Sequence, residues 1–156
     1  MAERDYEEFL ELLNANRVRY LIAGAHAVAF HARPRATKDI DIYHDPSPAN
    51  CERLLEAIKR FFSGSDMGFR LSDLSDPELI VQLGVAPVRI DLLSSIKGIA
   101  SFNHAWKNRV QGNYGAVHAY YLSLKDTIQA KAATKRVQDE ADLLHLRKAR
   151  RARPRK

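Results

Sequence analysis

The sequence predicts a mixed α/β (α+β) protein: a small mixed β-sheet flanked by helices, with a helical C-terminal segment. Three observations carry this expectation. Apolar residues recur at helical spacing in long segments, short apolar runs of strand character alternate with them, and Gly, Pro and Asn punctuate the boundaries. At 156 residues, 46% hydrophobic and 28% charged, the chain is long and apolar enough to bury one core as a single domain.

The elements follow in order. Tyr6, Phe9, Leu10 and Leu13 have the i, i+3, i+4, i+7 spacing of an amphipathic helix, which Asn14-Ala15-Asn16 ends. Val18 to Ile22 reads as a strand broken by Gly24, and Ala25 to His31 as a short helix of small residues. Ala32 to Lys38 is a loop containing Arg33-Pro34-Arg35, and an apolar strand follows it to about Tyr43. Ser47-Pro48 supplies a capping hydroxyl and a first-turn proline for the next helix, whose stripe is Cys51, Leu54, Leu55, Ile58, Phe61 and Phe62. Glu78 to Leu83 and Val88 to Leu93 form an expected antiparallel hairpin around Gly84 to Pro87. Phe102 to Arg109 reads as a short helix and Val117 to Leu122 as the last strand. Ser123-Leu-Lys-Asp126 resembles a capping box with Asp in place of Glu and opens the C-terminal helical segment.

Composition narrows the setting. No apolar stretch approaches the roughly 20 residues that a bilayer span requires. The acidic, amphipathic start is unlike a signal peptide, and a single cysteine, Cys51, excludes an internal disulfide framework. A cytoplasmic protein is expected. Seven of the 25 Lys and Arg lie in the last ten residues, so the 18 others face 19 Asp and Glu. The division is therefore a near-neutral body, residues 1–146, and a basic tail, residues 147–156. Such a tail is either simply solvated or a holder of nucleic acid or an acidic partner through charge neutralisation.

The segment "ATKDIDIYHD" places Asp39 and Asp41 two residues apart on an apolar strand. Residues i and i+2 share a strand face, so Ile40 and Ile42 face the core and the two carboxylates face the other way together. At an effective dielectric near 20 their repulsion is about 3 kcal/mol. A solvated strand face accommodates that, and so does a divalent cation in a cleft, because carboxylate oxygens are the ligands Mg²⁺ prefers. Asp91, between Ile90 and Leu92, repeats the arrangement on a second strand. A charge in so apolar a strand needs a partner or a ligand. If the two strands are neighbours, three carboxylates converge, a set able to hold metal ions for phosphoryl displacement.

Taken together, "LIAGAHAVAFHARPRATKDIDIYHD" resembles the signature of the nucleotidyltransferase superfamily, in which a strand ends in Gly, a short helix follows, and the next strand carries D-x-D. In particular the chain is similar to small bacterial nucleotidyltransferase-like proteins related to abortive-infection and toxin–antitoxin nucleotidyltransferases. Their R-x-T-x-D-x-D version is Arg35-Ala-Thr37-Lys-Asp39-Ile-Asp41 here, their "riDll" strand is Arg89 to Leu93, and their F-x-x-A-W segment is Phe102 to Trp106. Lys131, Arg136 and "QDEAD", with Asp139 and Asp142, fall where the family carries its late basic and acidic residues. The resemblance spans about residues 18 to 146.

It implies a nucleotidyltransferase fold and a nucleoside triphosphate substrate, with Mg²⁺ or Mn²⁺ held by Asp39, Asp41 and Asp91. Asp91 would also assist deprotonation of the acceptor hydroxyl. Gly24 would let the backbone approach the triphosphate, and the N–H groups from Ala25 onward would meet its oxygens. Lys131 and Arg136 are candidates for neutralising phosphates, and Arg35 and Thr37 for shaping the entry to the strand. An RNA end, a protein side chain and a small hydroxylated compound all remain as acceptors, and a cognate antitoxin is the implied protein partner if the chain is a toxin. Two departures point to a second reading, a catalytically degenerate module that binds nucleotide, RNA or a partner. Ala25 stands where the family has Gly or Ser, and Gln138 where it often has Lys.

Other residues read as structural. The six histidines show no zinc spacing, Cys51 lies on an apolar stripe, Trp106 is a packing anchor, and "SGSDMG" (63–68) follows a helix and is a connection rather than a phosphate loop. Lys131 could equally be a solvated helix lysine.

Overall fold

The computed structural model describes residues 2–33, 37, 39–85, 88–134 and 136–152. Among them seven helices and six strands follow in the order α1 (Ala2–Ala15), β1 (Tyr20–Ala23), α2 (Gly24–His31), β2 (Asp39–His44), α3 (Pro48–Phe61), α4 (Leu71–Ser75), β3 (Ile80–Leu83), β4 (Arg89–Leu93), α5 (Phe102–Lys107), β5 (Val110–Tyr114), β6 (Val117–Tyr121), α6 (Leu124–Thr134) and α7 (Val137–Ala152). No helix among the described residues is long and apolar enough to cross a membrane.

The strands form one mixed sheet in the order β3-β4-β2-β1-β6-β5. β2 runs antiparallel to β1 and parallel to β4, while β3 and β4 form the expected antiparallel pair. The sheet's two faces have different fates. Tyr20, Ile22, Ile40, Ile42, Ile90 and Leu92 point into a core closed by Phe9, Leu10 and Leu13 of α1 and by Cys51, Leu54 and Ile58 of α3. On the opposite face Leu21, Ala23 and Tyr43 pack under α5 through Phe102 and Ala105. Val28 of α2 meets Leu124, Ile128 and Leu146 of α6 and α7. Residues 39, 41 and 43 share this second face. Tyr43 is covered by α5, whereas Asp39 and Asp41 are only half-buried at the strand's open end.

One local expectation needed correction, and two elements had not been expected. β5 was unanticipated, since VQGNY is poor in β-formers. It is held by antiparallel pairing to β6 across a turn with Gly115 at φ 59°, and by Phe30, which lies where a Cβ on Gly112 would be. α4 was likewise not anticipated. At α3, Pro48 does open the helix, but the Ser47 hydroxyl makes no cap bond; the preceding turn is instead held by Asp45, whose Oδ1 accepts from Ser47 N at 3.0 Å. At α6 the Ser123 hydroxyl does accept from Asp126 N at 3.0 Å. The basic segment begins as a continuation of α7, whose helix runs on through residues 147–152.

Candidate active site

The sheet register assembles the acidic residues. β2 and β4 lie side by side with Asp39 opposite Arg89, Asp41 opposite Asp91 and Tyr43 opposite Leu93. On its other side Asp41 faces Ala23 at the end of β1. Alternation puts Asp39, Asp41, Arg89 and Asp91 on the same face. One oxygen from each of the three carboxylates lies within 4.8 Å of the others.

A cleft of about 510 Å³ opens over them. Its lining includes Gly24, Ala25, Thr37, Asp39, Asp41, Asp91, Lys131 and Arg136, so the fold brings together eight residues that the sequence singled out. The ninth, Arg35, lies outside the described residues. A smaller pocket of about 120 Å³ adjoins it, sharing Gly24, Asp41, Lys131 and Arg136 and adding the apolar walls Ile96 and Leu122.

Each side chain has a local reason for its position. Gly24, at φ 60°, starts α2 immediately after β1. A Cβ there would collide with the Asp41 carboxylate. The absent side chain thus makes room for Asp41, in addition to allowing the close backbone approach expected from sequence. The N-cap of α2 is Ala23, which supplies no side-chain cap. The first N–H groups of the helix, at Gly24 and Ala25, are therefore not bonded by an N-cap side chain and border the cleft. Thr37 donates its hydroxyl proton to Asp39 Oδ1 at 2.8 Å and so fixes that carboxylate.

Arg89 is the residue that sequence reading passed over. Its Nε and one terminal nitrogen each donate to Asp91, both at 3.0 Å, and the same terminal nitrogen donates to Asp39 Oδ2 at 2.7 Å. The signal was present: Arg89 stands two residues before Asp91, the spacing that placed Asp39 beside Asp41. Tyr6 of α1 donates from its hydroxyl to the Arg89 carbonyl at 3.2 Å, tying the first helix to this edge of the site.

The three carboxylates differ electrostatically. Burial pushes Asp41 up to about 6, and the like charges of Asp39 and Asp91 add to the shift. Burial also raises Asp91, against the opposing Arg89 guanidinium. For Asp39 burial acts in the same direction, but the Thr37 hydroxyl and Arg89 outweigh it and hold the carboxyl below its ordinary value.

Across the cleft, Lys131 and Arg136 are engaged rather than free. Lys131 Nζ lies 3.0 Å from Asp139 and 3.4 Å from Asp142. Arg136 Nε lies 2.9 Å from Asp139, its side chain otherwise mostly exposed. The Thr134 hydroxyl completes the ring of donors to Asp139. Lys131 still reaches the acidic side electrostatically, since its charge opposes the rise at Asp41. Gln138 lines the same cleft.

Three clustered carboxylates are a hard-oxygen donor set that suits Mg²⁺ or Mn²⁺, and a cation there would offset the like charges of Asp39 and Asp91 that face Asp41. A search of the curated proteins finds no match. A family model described as "Nucleotidyltransferase of unknown function (DUF6036)" matches residues 4–147.

Proposed function

Because the chain belongs to this family of nucleotidyltransferases, we propose that it transfers a nucleoside monophosphate from a nucleoside triphosphate to an acceptor hydroxyl. The observation that carries the proposal is the convergence of Asp39, Asp41 and Asp91 at the mouth of a cleft whose other walls are a helix N-terminus and two cationic side chains. Asp39, Asp41 and Asp91 would hold Mg²⁺ or Mn²⁺. When bound, that ion supplies Lewis-acid polarisation of the phosphoryl oxygens and lowers the pKa of the attacking hydroxyl.

The chain's own groups do the rest. The uncapped N–H groups of α2 bind phosphate oxygens, where the positive end of the helix dipole favours an anion. Lys131 and Arg136 offset charge on the triphosphate from the opposite wall. Asp91, raised by burial, accepts the acceptor hydroxyl's proton. The acceptor oxygen bonds to the α-phosphorus as the bond to the β-phosphate bridging oxygen breaks, and pyrophosphate leaves. RNA is the acceptor we favour, because the basic stretch at the end of α7 suits a phosphate backbone. The toxin role and the antitoxin-like partner that the resemblance implies belong to the same reading.

A second reading has its own support. Ala25 and Gln138 both line the cleft, so position 25 offers no hydroxyl and position 138 no ammonium to a phosphate. A non-catalytic module binding nucleotide, RNA or a protein partner follows from that. The test is incubation of wild type and Asp41→Asn with labelled nucleoside triphosphates, Mg²⁺ and total RNA or protein extract. Transfer of label by wild type, reduced about a hundredfold or more in the variant, supports the enzyme. Nucleotide binding without any transfer supports the module.

A further inference from the structure

We propose that Arg89 is an internal cation that competes with the metal for Asp39 and Asp91, so that the nucleotide-free protein takes up divalent ions only weakly. The inference rests on the metal reading of the aspartates and adds a residue that controls their occupancy.

The geometry is specific. Both Asp91 oxygens accept from the Arg89 fork, and Asp39 Oδ2 accepts from the same terminal nitrogen. The other Asp39 oxygen is taken by Thr37. The guanidinium therefore bridges two of the three carboxylates. A bidentate guanidinium–carboxylate pair is among the strongest charge-assisted contacts available to a side chain. A cation entering between Asp39 and Asp91 meets the repulsion of that positive charge and must displace at least one of its hydrogen bonds.

Arg89 can yield its place. Its side chain is 37% exposed, and it lines the same cleft as Lys131 and Arg136. A guanidinium released into that cleft remains within the proposed triphosphate site. Asp41 accepts nothing from Arg89 in the bonds described, so a cation meeting it displaces none of the guanidinium's hydrogen bonds. It is where an incoming cation is attracted first, with Asp39 and Asp91 becoming available as Arg89 leaves.

Mn²⁺ binding by the full chain, without nucleotide and near neutral pH, tests this, read by the electron paramagnetic resonance of free Mn²⁺. Arg89→Met and Arg89→Gln should each bind Mn²⁺ about tenfold or more tightly than wild type. Arg89→Lys, which keeps the charge, should stay near wild type. In thermal melts the two neutral variants should unfold at lower temperature without metal and gain more from added Mn²⁺ than wild type does. Should Arg89→Met fail to fold, Arg89→Gln, which retains a polar head, carries the comparison. Equal or weaker Mn²⁺ binding in the neutral variants overturns the inference and leaves the metal site standing. Absence of Mn²⁺ binding in all forms, or binding that survives Asp41→Asn unchanged, overturns the metal reading together with it.

Discussion

One arginine, Arg89, pairs with Asp39 and Asp91 and makes no described bond to Asp41 between them, whereas Asp139 and Asp142 on α7 are met by Lys131, Arg136, Thr134 and the more distant Arg33. Lys131 and Arg136, which hold the second cluster, face the first across one cleft; the residue type is the same, yet Asp41 and Asp139 are shifted in opposite directions. Burial leaves Asp41 pushed up to about 6. Asp139 feels burial too, but the Thr134 hydroxyl, Lys131 and Arg136 outweigh it and hold the carboxyl down to about 2. Asp139 is 1% exposed and Asp142 0%, depths at which an ionised carboxylate persists only when compensated. The lesson concerns how buried charge is read: a compensated cluster braces the fold, and an under-compensated one at a cleft mouth is poised for a ligand.

The sharpest way to break the comparison is to strip the braced cluster of its central cation. Lys131→Met leaves two buried carboxylates short of a partner and should cost about 3–5 kcal/mol in urea unfolding. A cost below about 1 kcal/mol would mean that the α6–α7 ion pairs are not structural.

Next come paired substitutions of opposite expected sign. Asp139→Asn should destabilise by about 2 kcal/mol, given its lowered pKa. Asp41→Asn should stabilise the metal-free protein by on the order of 1–2 kcal/mol, since it removes a charge that the fold disfavours. It should also abolish the Mn²⁺-induced rise in melting temperature. The same sign for both variants would erase the distinction between the clusters.

The pH dependence separates them without mutation. Asp41 binds its proton more tightly folded than unfolded, so its contribution is fully present below its ordinary value of 3.8 and is lost as pH rises through about 6. Asp139 does the reverse: its contribution is present above 3.8 and is lost as pH falls toward about 2. Urea midpoints of wild type and the two Asn variants across this range should show slopes of opposite sign in separate windows. The Mn²⁺ affinity of wild type should weaken below about pH 6, where Asp41 holds a proton.

The smallest expected effect lies beyond both clusters. Leu146 is the last buried side chain of α7, and the charged residues that follow it in the helix are exposed. Deleting residues 147–156 should change stability by no more than about 0.5 kcal/mol. If RNA is the acceptor, the deletion should weaken RNA binding and flatten its salt dependence, and unchanged RNA affinity would remove the basic stretch from the site.

Much of this was legible in the chain because it depends on near neighbours. The stripe Tyr6, Phe9, Leu10, Leu13 specified α1, and the alternation in DIDIYH specified which side chains of β2 enter the core and that Asp39 and Asp41 leave it together. Periodicities of 3.6 and 2 are properties of a few consecutive residues, and burial follows them. β5 was not legible, because Gln111, Gly112 and Asn113 have no strand character of their own and acquire it from β6 and Phe30. Ser47 was misread because its hydroxyl fits a cap pattern, while Asp45 organises the turn before the helix.

The sequence by itself determined that three aspartates would sit on strand faces pointing away from apolar neighbours. Only the tertiary structure decided that β4 lies beside β2, parallel and in the register that sets Asp91 against Asp41 and Arg89 against Asp39. It alone decided that Gly24 yields its side-chain space to Asp41, and that Lys131 is claimed by two buried aspartates. The physical reason is range. Which face a side chain takes is settled by local backbone geometry, whereas the charge it meets there depends on strands and helices brought together from up to about a hundred residues away.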